Sequence, residues 1–120
     1  MNPLKISAIA AALMFGMTVA PALADAPKAL NKCKSCHSFD EGGKHKVGPN
    51  LFGIYGSKAG ATDFGKYKGL VDVDIVWDEE NLDKWLADPK GFLGKRTSMT
   101  LKLKKEEDRK EIIEYLEELK

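Results

Sequence analysis

The chain has 120 residues, including 19 basic and 18 acidic side chains and two cysteines. This length suits one domain, and a composition of 43% hydrophobic and 31% charged residues is typical of a folded globular protein. The formal net charge of +1 provides no general basic field of the kind that holds nucleic acid, so we expect no nucleic-acid partner.

The amino terminus has the pattern of a secretory signal peptide. After Lys5, residues 6–24 carry no charge, and the run ends on Ala22-Leu23-Ala24, the small-x-small form that signal peptidase cleaves. We therefore predict that residues 1–24 are removed.

Cleavage there leaves residues 25–120 as a single mature domain in the periplasm, where its cysteines meet an oxidising environment. A retained membrane anchor is the alternative, because an uncharged run of this length approaches the ~20 residues that span a bilayer. Pro21 and the cleavage site favour removal.

A C-x-x-C-H motif follows a short opening segment that has room for a short helix at most. Residues 33–37 read Cys-Lys-Ser-Cys-His, the spacing that attaches haem covalently through two thioethers, with His37 as the proximal ligand of the iron. A zinc site would need more ligands than Cys33, Cys36, His37 and His45 provide at this spacing. A thioredoxin-like pair would need a βαβ setting, and a bare disulfide would leave His37 unexplained. We therefore predict one haem c.

The next segment contains Gly48 and Pro49. Gly-Pro-Asn predicts a turn, and next to a haem the glycine permits close approach of the backbone. The Pro49 carbonyl could then accept a hydrogen bond from His37 Nδ1, which would fix the tautomer and orient the ring.

Two helices are predicted in the second half, after a glycine-rich loop at residues 56–69. Residues 77–88 have acids at the start and apolar side chains at helical spacing, and Pro89 should stop the helix. From residue 104 to the end, an i, i+3, i+4, i+7 stripe predicts an amphipathic closing helix. The expected fold is all-α, with short helices and long loops around the prosthetic group.

Between these helices lies Met99, the one methionine outside the predicted leader. A lone methionine is more often a core residue, but beside a haem motif it is the natural sixth ligand. His45 is the competing candidate, and a bracing hydrogen bond is the role we expect for it. His/Met ligation raises the reduction potential, since a soft neutral sulfur favours ferrous iron.

From Cys33 to about Tyr115 the chain resembles the class I cytochromes c, of the mitochondrial type and of related exported bacterial carriers. The resemblance is carried by residues 33–37 and 42–51, by Trp77, by the Trp-Leu-x-x-Pro of residues 85–89, and by Met99.

The resemblance implies that His37 and Met99 are the axial ligands and that the Pro49 carbonyl is the partner of His37. It also implies that Tyr67 and Trp77 donate hydrogen bonds to a buried haem propionate. His45 would then brace one loop against another.

Three positions depart from the pattern of the family. Ser57 stands where an Arg usually lies near the inner propionate, and Trp85 replaces a Tyr whose hydroxyl normally reaches towards the ligand sulfur. The opening helix lacks its usual aromatic residue, so Ala29 or Leu30 is expected to meet the closing helix.

These features predict a soluble, monomeric periplasmic electron carrier of the respiratory or photosynthetic chain, and not an enzyme. Its expected donor is a cytochrome bc complex, and its expected acceptor is an oxidase or a photosynthetic reaction centre. A membrane-anchored carrier is one alternative, and a haem peroxidase or ligand sensor with a labile Met ligand is another.

Charge is distributed unevenly along the chain. The segments with the predicted ligands are basic, at +4 for residues 28–58 and +6 for residues 84–105, whereas residues 59–83 sum to −5 and residues 106–120 to −4. We therefore expect a positive patch around the exposed haem edge. By resemblance, its docking residues are Lys32, Lys46, Lys90 and Lys105.

Overall fold

The computed structural model describes residues 26–120, and the predicted leader lies outside them. Within this range the regular structure is helical. The elements are a 3-10 turn at Lys28–Leu30 and the helices α1 (Asn31–Lys34), α2 (Glu79–Ala87), α3 (Pro89–Leu93) and α4 (Glu106–Glu118). The all-α class with long loops is thus confirmed.

The opening helix is as short as expected and places the C-x-x-C-H motif. It buries Cys33, and the N–H groups of Cys36 and His37 both donate to the Cys33 carbonyl, at 3.1 and 2.9 Å. The helical turn therefore continues into the motif, which keeps both thiols and the imidazole close to one another.

Helix α2 is shorter than the predicted run of residues 77–88. Asp78 caps it by accepting the N–H of Asn81 at 2.8 Å, so the helix begins after the cap, and Trp77 lies outside it in extended chain. Glu79 and Glu80 occupy the first turn, where the helix dipole favours acids.

Pro89 ends α2 as predicted and also begins α3, which the sequence pattern did not indicate. Proline is favoured in a first turn because its missing N–H would have no intrahelical partner there. Asp88 caps the new helix by accepting the N–H of Gly91 at 3.1 Å. Gly94, with φ of 72°, ends it in the left-handed conformation.

Helix α4 begins at Glu106, two residues after the predicted start, and buries the expected apolar stripe, with Ile112 and Leu116 at 1% and 3% exposure. It packs against α2 and the opening 3-10 turn, where Leu30 is fully buried. Arg109 ties α4 to α2 through Asp83, at 2.7 Å.

Loops occupy most of residues 35–78 and are held by local hydrogen bonds. Residues 56–69 are loop, as predicted, with one antiparallel bridge joining Lys58 to Val76. No helix within residues 26–120 has the length and apolar character required to cross a membrane.

Candidate functional site

One apolar cavity of about 260 Å³ lies between the opening helix, α2, α4 and the loops. All seven residues predicted for the site line it, although they span 67 positions of the chain. They are Cys33, Cys36, His37, Pro49, Tyr67, Trp77 and Met99.

The His37 ring is oriented by backbone on one side of this cavity. Its Nδ1 donates a hydrogen bond to the Pro49 carbonyl at 2.7 Å, which leaves Nε2 as the nitrogen that can bind a metal. Gly48 lies against the ring so closely that a Cβ at this position would collide with it. Burial lowers the pKa of His37 more than the Pro49 hydrogen bond raises it, which favours the neutral imidazole that ligates metals.

Both cysteines are free thiols in the structure. Cys33 is buried, and its burial, followed by the proximity of Cys36, raises its pKa. Two unpaired thiols on the wall of one cavity are available to form bonds to a group inside it. A disulfide between Cys33 and Cys36 would leave no thiol for such bonds.

Met99 lies on the cavity wall, in a segment held by one internal hydrogen bond and one bond to helix α2. Thr97, itself buried, donates its hydroxyl proton to the Met99 carbonyl at 2.7 Å. Farther along, the N–H of Leu103 donates to the Leu86 carbonyl of α2 at 2.8 Å. These bonds fix the backbone on which the thioether is carried. Thr97 was not anticipated, because a threonine in a polar loop carries no distinguishing signal.

Tyr67 and Trp77 approach the cavity from the loops. Trp77 is 4% exposed, and its backbone N–H and carbonyl are both bonded, to the Ser57 carbonyl and the Gly56 N–H. The Tyr67 hydroxyl shares a hydrogen bond with Thr62. Trp77 also packs on Trp85, with ring centroids 5.4 Å apart.

The expectation that His45 braces two loops is confirmed. Its Nδ1 accepts the backbone N–H of Asn50 at 2.9 Å, and its Nε2 bonds to the carboxylate of Asp63. This hydrogen bond is the main reason why the pKa of Asp63 is lowered. Asn50, a buried amide that bonds the Asp40 and Gly43 carbonyls, also holds the first loop closed.

The charged side chains on the cavity wall are lysines: in the part of the chain that the structure describes, Lys32, Lys66 and Lys68 line it and no Asp or Glu does. Of the four predicted docking lysines, Lys32 is therefore at the cavity. The other three are exposed elsewhere, and Lys46 donates to the Lys34 carbonyl at 2.6 Å.

These residues fit a covalently held haem. The cavity is lined mainly by apolar side chains, as a porphyrin face requires. It also presents two free thiols, a neutral imidazole oriented through Nδ1, and a thioether. Its basic wall is complementary to the carboxylates of the porphyrin.

Comparison with known proteins identifies the same kind of protein. The family model for cytochrome c matches residues 23–120. The chain is 44% identical over 98 residues to "Cytochrome c2 iso-2" of Magnetospirillum molischianum, covering 81% of this chain and 100% of that protein. It is 41% identical over 88 residues to "Cytochrome c" of Theileria annulata, covering 73% and 76%.

Among solved structures, "cytochrome cH from Methylobacterium extorquens" superposes with a TM-score of 0.66 at 35% identity, covering 75% of this chain and 91% of that one. The chain belongs to the cytochrome c family: it is a haem-based electron carrier rather than an enzyme, and it holds haem c covalently through Cys33 and Cys36.

Proposed function

We propose that this protein is a soluble periplasmic carrier that moves single electrons between larger redox complexes. The observation that carries the proposal is the convergence of two free thiols, His37 and Met99 on one apolar cavity. Haem c, when bound, supplies an iron that cycles between ferric and ferrous states. The role of the chain is to ligate that iron, exclude water and present one edge to partners.

The proposed axial ligands are His37 and Met99. The Pro49 carbonyl orients the imidazole, and burial favours its neutral form. The segment around Met99 is held by the hydroxyl of Thr97. A histidine paired with a neutral thioether favours the ferrous state and so raises the reduction potential.

Tyr67 and Trp77 are proposed to donate hydrogen bonds to a haem propionate. Both line the cavity, and the buried main chain of Trp77 is bonded on both sides. A carboxylate that is withdrawn from water needs such donors, because an unpaired buried charge is costly.

Periplasmic location follows from the predicted leader. Residues 6–24 are uncharged and end in a small-x-small site, which supports export and cleavage after residue 24. Fractionation and intact mass test this: residues 25–120 are expected in the periplasmic fraction, and a membrane-bound chain that retains residues 1–24 would indicate the anchored form.

The proposed partners are a cytochrome bc complex as donor and an oxidase or photosynthetic reaction centre as acceptor. Lys32 at the cavity supports docking by a positive face, to which Lys46, Lys90 and Lys105 would contribute by resemblance. Monomeric protein is expected to be sufficient for this shuttle.

A reconstituted shuttle tests the proposal. Electron flow from a purified bc complex to an oxidase in separate vesicles should rise in proportion to added protein. The matched control is the double variant Cys33→Ser/Cys36→Ser, which cannot form thioethers and should give no stimulation. Equal rates with and without the wild-type protein would contradict the proposed function.

A further inference from the structure

The loop between the bridge at Lys58 and helix α2 contains an unusual placement of charge. Residues 59–78 hold four acids and two basic residues, Lys66 and Lys68. Both lysines line the cavity, and none of the four acids does. Both lysines are exposed to solvent and also line the cavity, so the positive charges of this loop lie beside the cavity and its negative charges do not.

Neither lysine is engaged elsewhere: among residues 26–120, no ion pair or side-chain hydrogen bond involves Lys66 or Lys68. They flank Tyr67, whose ring packs edge-on against Phe64 with centroids 5.1 Å apart. The two lysines are therefore free to pair with a negatively charged group that lies in the cavity next to Tyr67.

Ser57 cannot provide a charge there. Its hydroxyl donates to the Ile54 carbonyl of its own turn at 2.6 Å, and the residue does not line the cavity. The arginine that the family usually has at this position is therefore not replaced locally.

We propose that Lys66 and Lys68 are positioning residues that neutralise the carboxylates of the bound haem, in place of that missing arginine. The inference rests on the proposed function, because it takes Tyr67 and Trp77 to mark the carboxylate side of the cavity. Lys32 precedes Cys33 in the chain and therefore lies near the proposed thioether bond.

The chemistry follows from the sign of the charges. Burying an ionised carboxylate in an apolar setting is costly. A nearby cation offsets that cost and favours the ionised form of the carboxylate. A cation close to the iron also disfavours the ferric state, which carries one more positive charge than the ferrous state. Loss of the two lysines should therefore lower the reduction potential.

The test compares the reduction potential of four holoproteins over a range of pH. The wild type is compared with the double variant Lys66→Gln/Lys68→Gln and with two controls, Lys58→Gln and Lys32→Gln. Lys58 is an exposed lysine of the same region that does not line the cavity, whereas Lys32 lines it. Besides the cysteines, the titratable residues that line the cavity are Lys32, His37, Lys66, Tyr67 and Lys68.

In the double variant the potential should fall below that of both controls at a pH where the carboxylates are ionised. Because an ionised carboxylate favours ferric iron, the potential declines with pH over the range in which the carboxylate loses its proton. That decline should move to higher pH in the double variant alone, and Lys66→Arg/Lys68→Arg should restore the wild-type profile.

A double variant whose potential and pH profile equal those of Lys58→Gln would overturn the inference. An equal shift of the potential and of its pH profile in Lys32→Gln would also overturn it, since any cation near the cavity would then have the same effect. Failure of the proposed function is a separate result: the haem would then be absent or would lack Met99 ligation in the wild type, as its optical spectrum would show.

Discussion

Two neighbouring residues position the His37 ring. The Pro49 carbonyl accepts a hydrogen bond from Nδ1, Gly48 permits close contact, and the Gly48 N–H donates to the Cys36 carbonyl at 2.7 Å. Such a partner on the second nitrogen is how proteins set the tautomer and basicity of a ligating histidine. The ring is therefore preorganised for Nε2 ligation.

Met99 provides the most direct test at the residue scale. In Met99→Ala the soft sulfur is lost, so the reduction potential should fall and ferric protein should bind cyanide readily. The ferric sulfur-to-iron charge-transfer band should disappear. Thr97→Val, which removes the hydroxyl bond to the Met99 carbonyl, should weaken the band without abolishing it. Survival of the band in Met99→Ala would exclude this residue as the ligand.

The contact between His45 and Asp63 should make stability depend on pH in acid. Because the folded-state pKa of Asp63 is lowered, its contribution is complete above the unfolded value and is lost as pH falls through the folded pKa. Above about pH 4, Asp63→Asn should therefore have a smaller free energy of unfolding than the wild type. The difference should vanish in stronger acid.

Denaturant titrations at several pH values measure that difference, and Asp74→Asn, an exposed acid of the same loop region, is the control. A deficit in Asp63→Asn that persists unchanged in strong acid would mean that the carboxylate does not act through its charge.

At this scale the sequence revealed residues whose chemistry is rare, and missed those whose chemistry is common. The C-x-x-C-H motif and the lone Met99 can be recognised from the sequence because few other functions use these residues in this arrangement. Thr97, Lys66 and Lys68 do not, because a threonine or lysine in a loop has many possible roles, and only the folded chain shows which side chains meet the cavity.

At the scale of elements, the hydrophobic pattern locates a helix but does not fix its first residue. Periodicity located α2 and α4, but it assigned both an earlier start, because side-chain spacing continues through residues that lie outside the helix. Helix α3 went unnoticed, since five residues are too few to show a period. The paths of residues 35–78 depend on tertiary hydrogen bonds that no local pattern encodes.

Helix α4 closes the cavity, and its buried stripe should dominate stability. Ile112 is 1% exposed and also lines the cavity. Ile112→Ala should lower the free energy of unfolding by about 2–5 kcal/mol, since it removes buried apolar surface and leaves a void. Glu114→Ala, on the exposed face, should change it by less than about 0.5 kcal/mol. Equal losses in the two variants, measured by denaturant titration, would refute the proposed packing of this helix.

At the scale of the whole molecule, charge is separated along a nearly neutral chain. Basic segments carry both proposed ligands, and Lys32 lies at the cavity. The electrostatic field of such a positive patch guides an acidic partner towards it. This field weakens as the Debye length shortens from ~10 Å at 0.1 M salt to ~3 Å at 1 M.

Electron transfer to an acidic-faced oxidase or reaction centre should accordingly slow steeply with ionic strength. Lys32→Glu should reduce the second-order rate constant more than Lys120→Glu, which makes the same change of charge in the acidic carboxyl-terminal segment. Stopped-flow or flash kinetics measure both. A rate indifferent to salt, or equal effects of the two substitutions, would show that this charge pattern does not guide docking.

The central claim is that one haem is bound covalently through Cys33 and Cys36, and the intact mass after acid-acetone extraction tests it most directly. Protein made in a host with haem-attachment machinery should keep its colour on extraction and denaturation. Its mass should equal residues 25–120 plus one haem, whereas a colourless polypeptide with the mass of the chain alone would contradict the account.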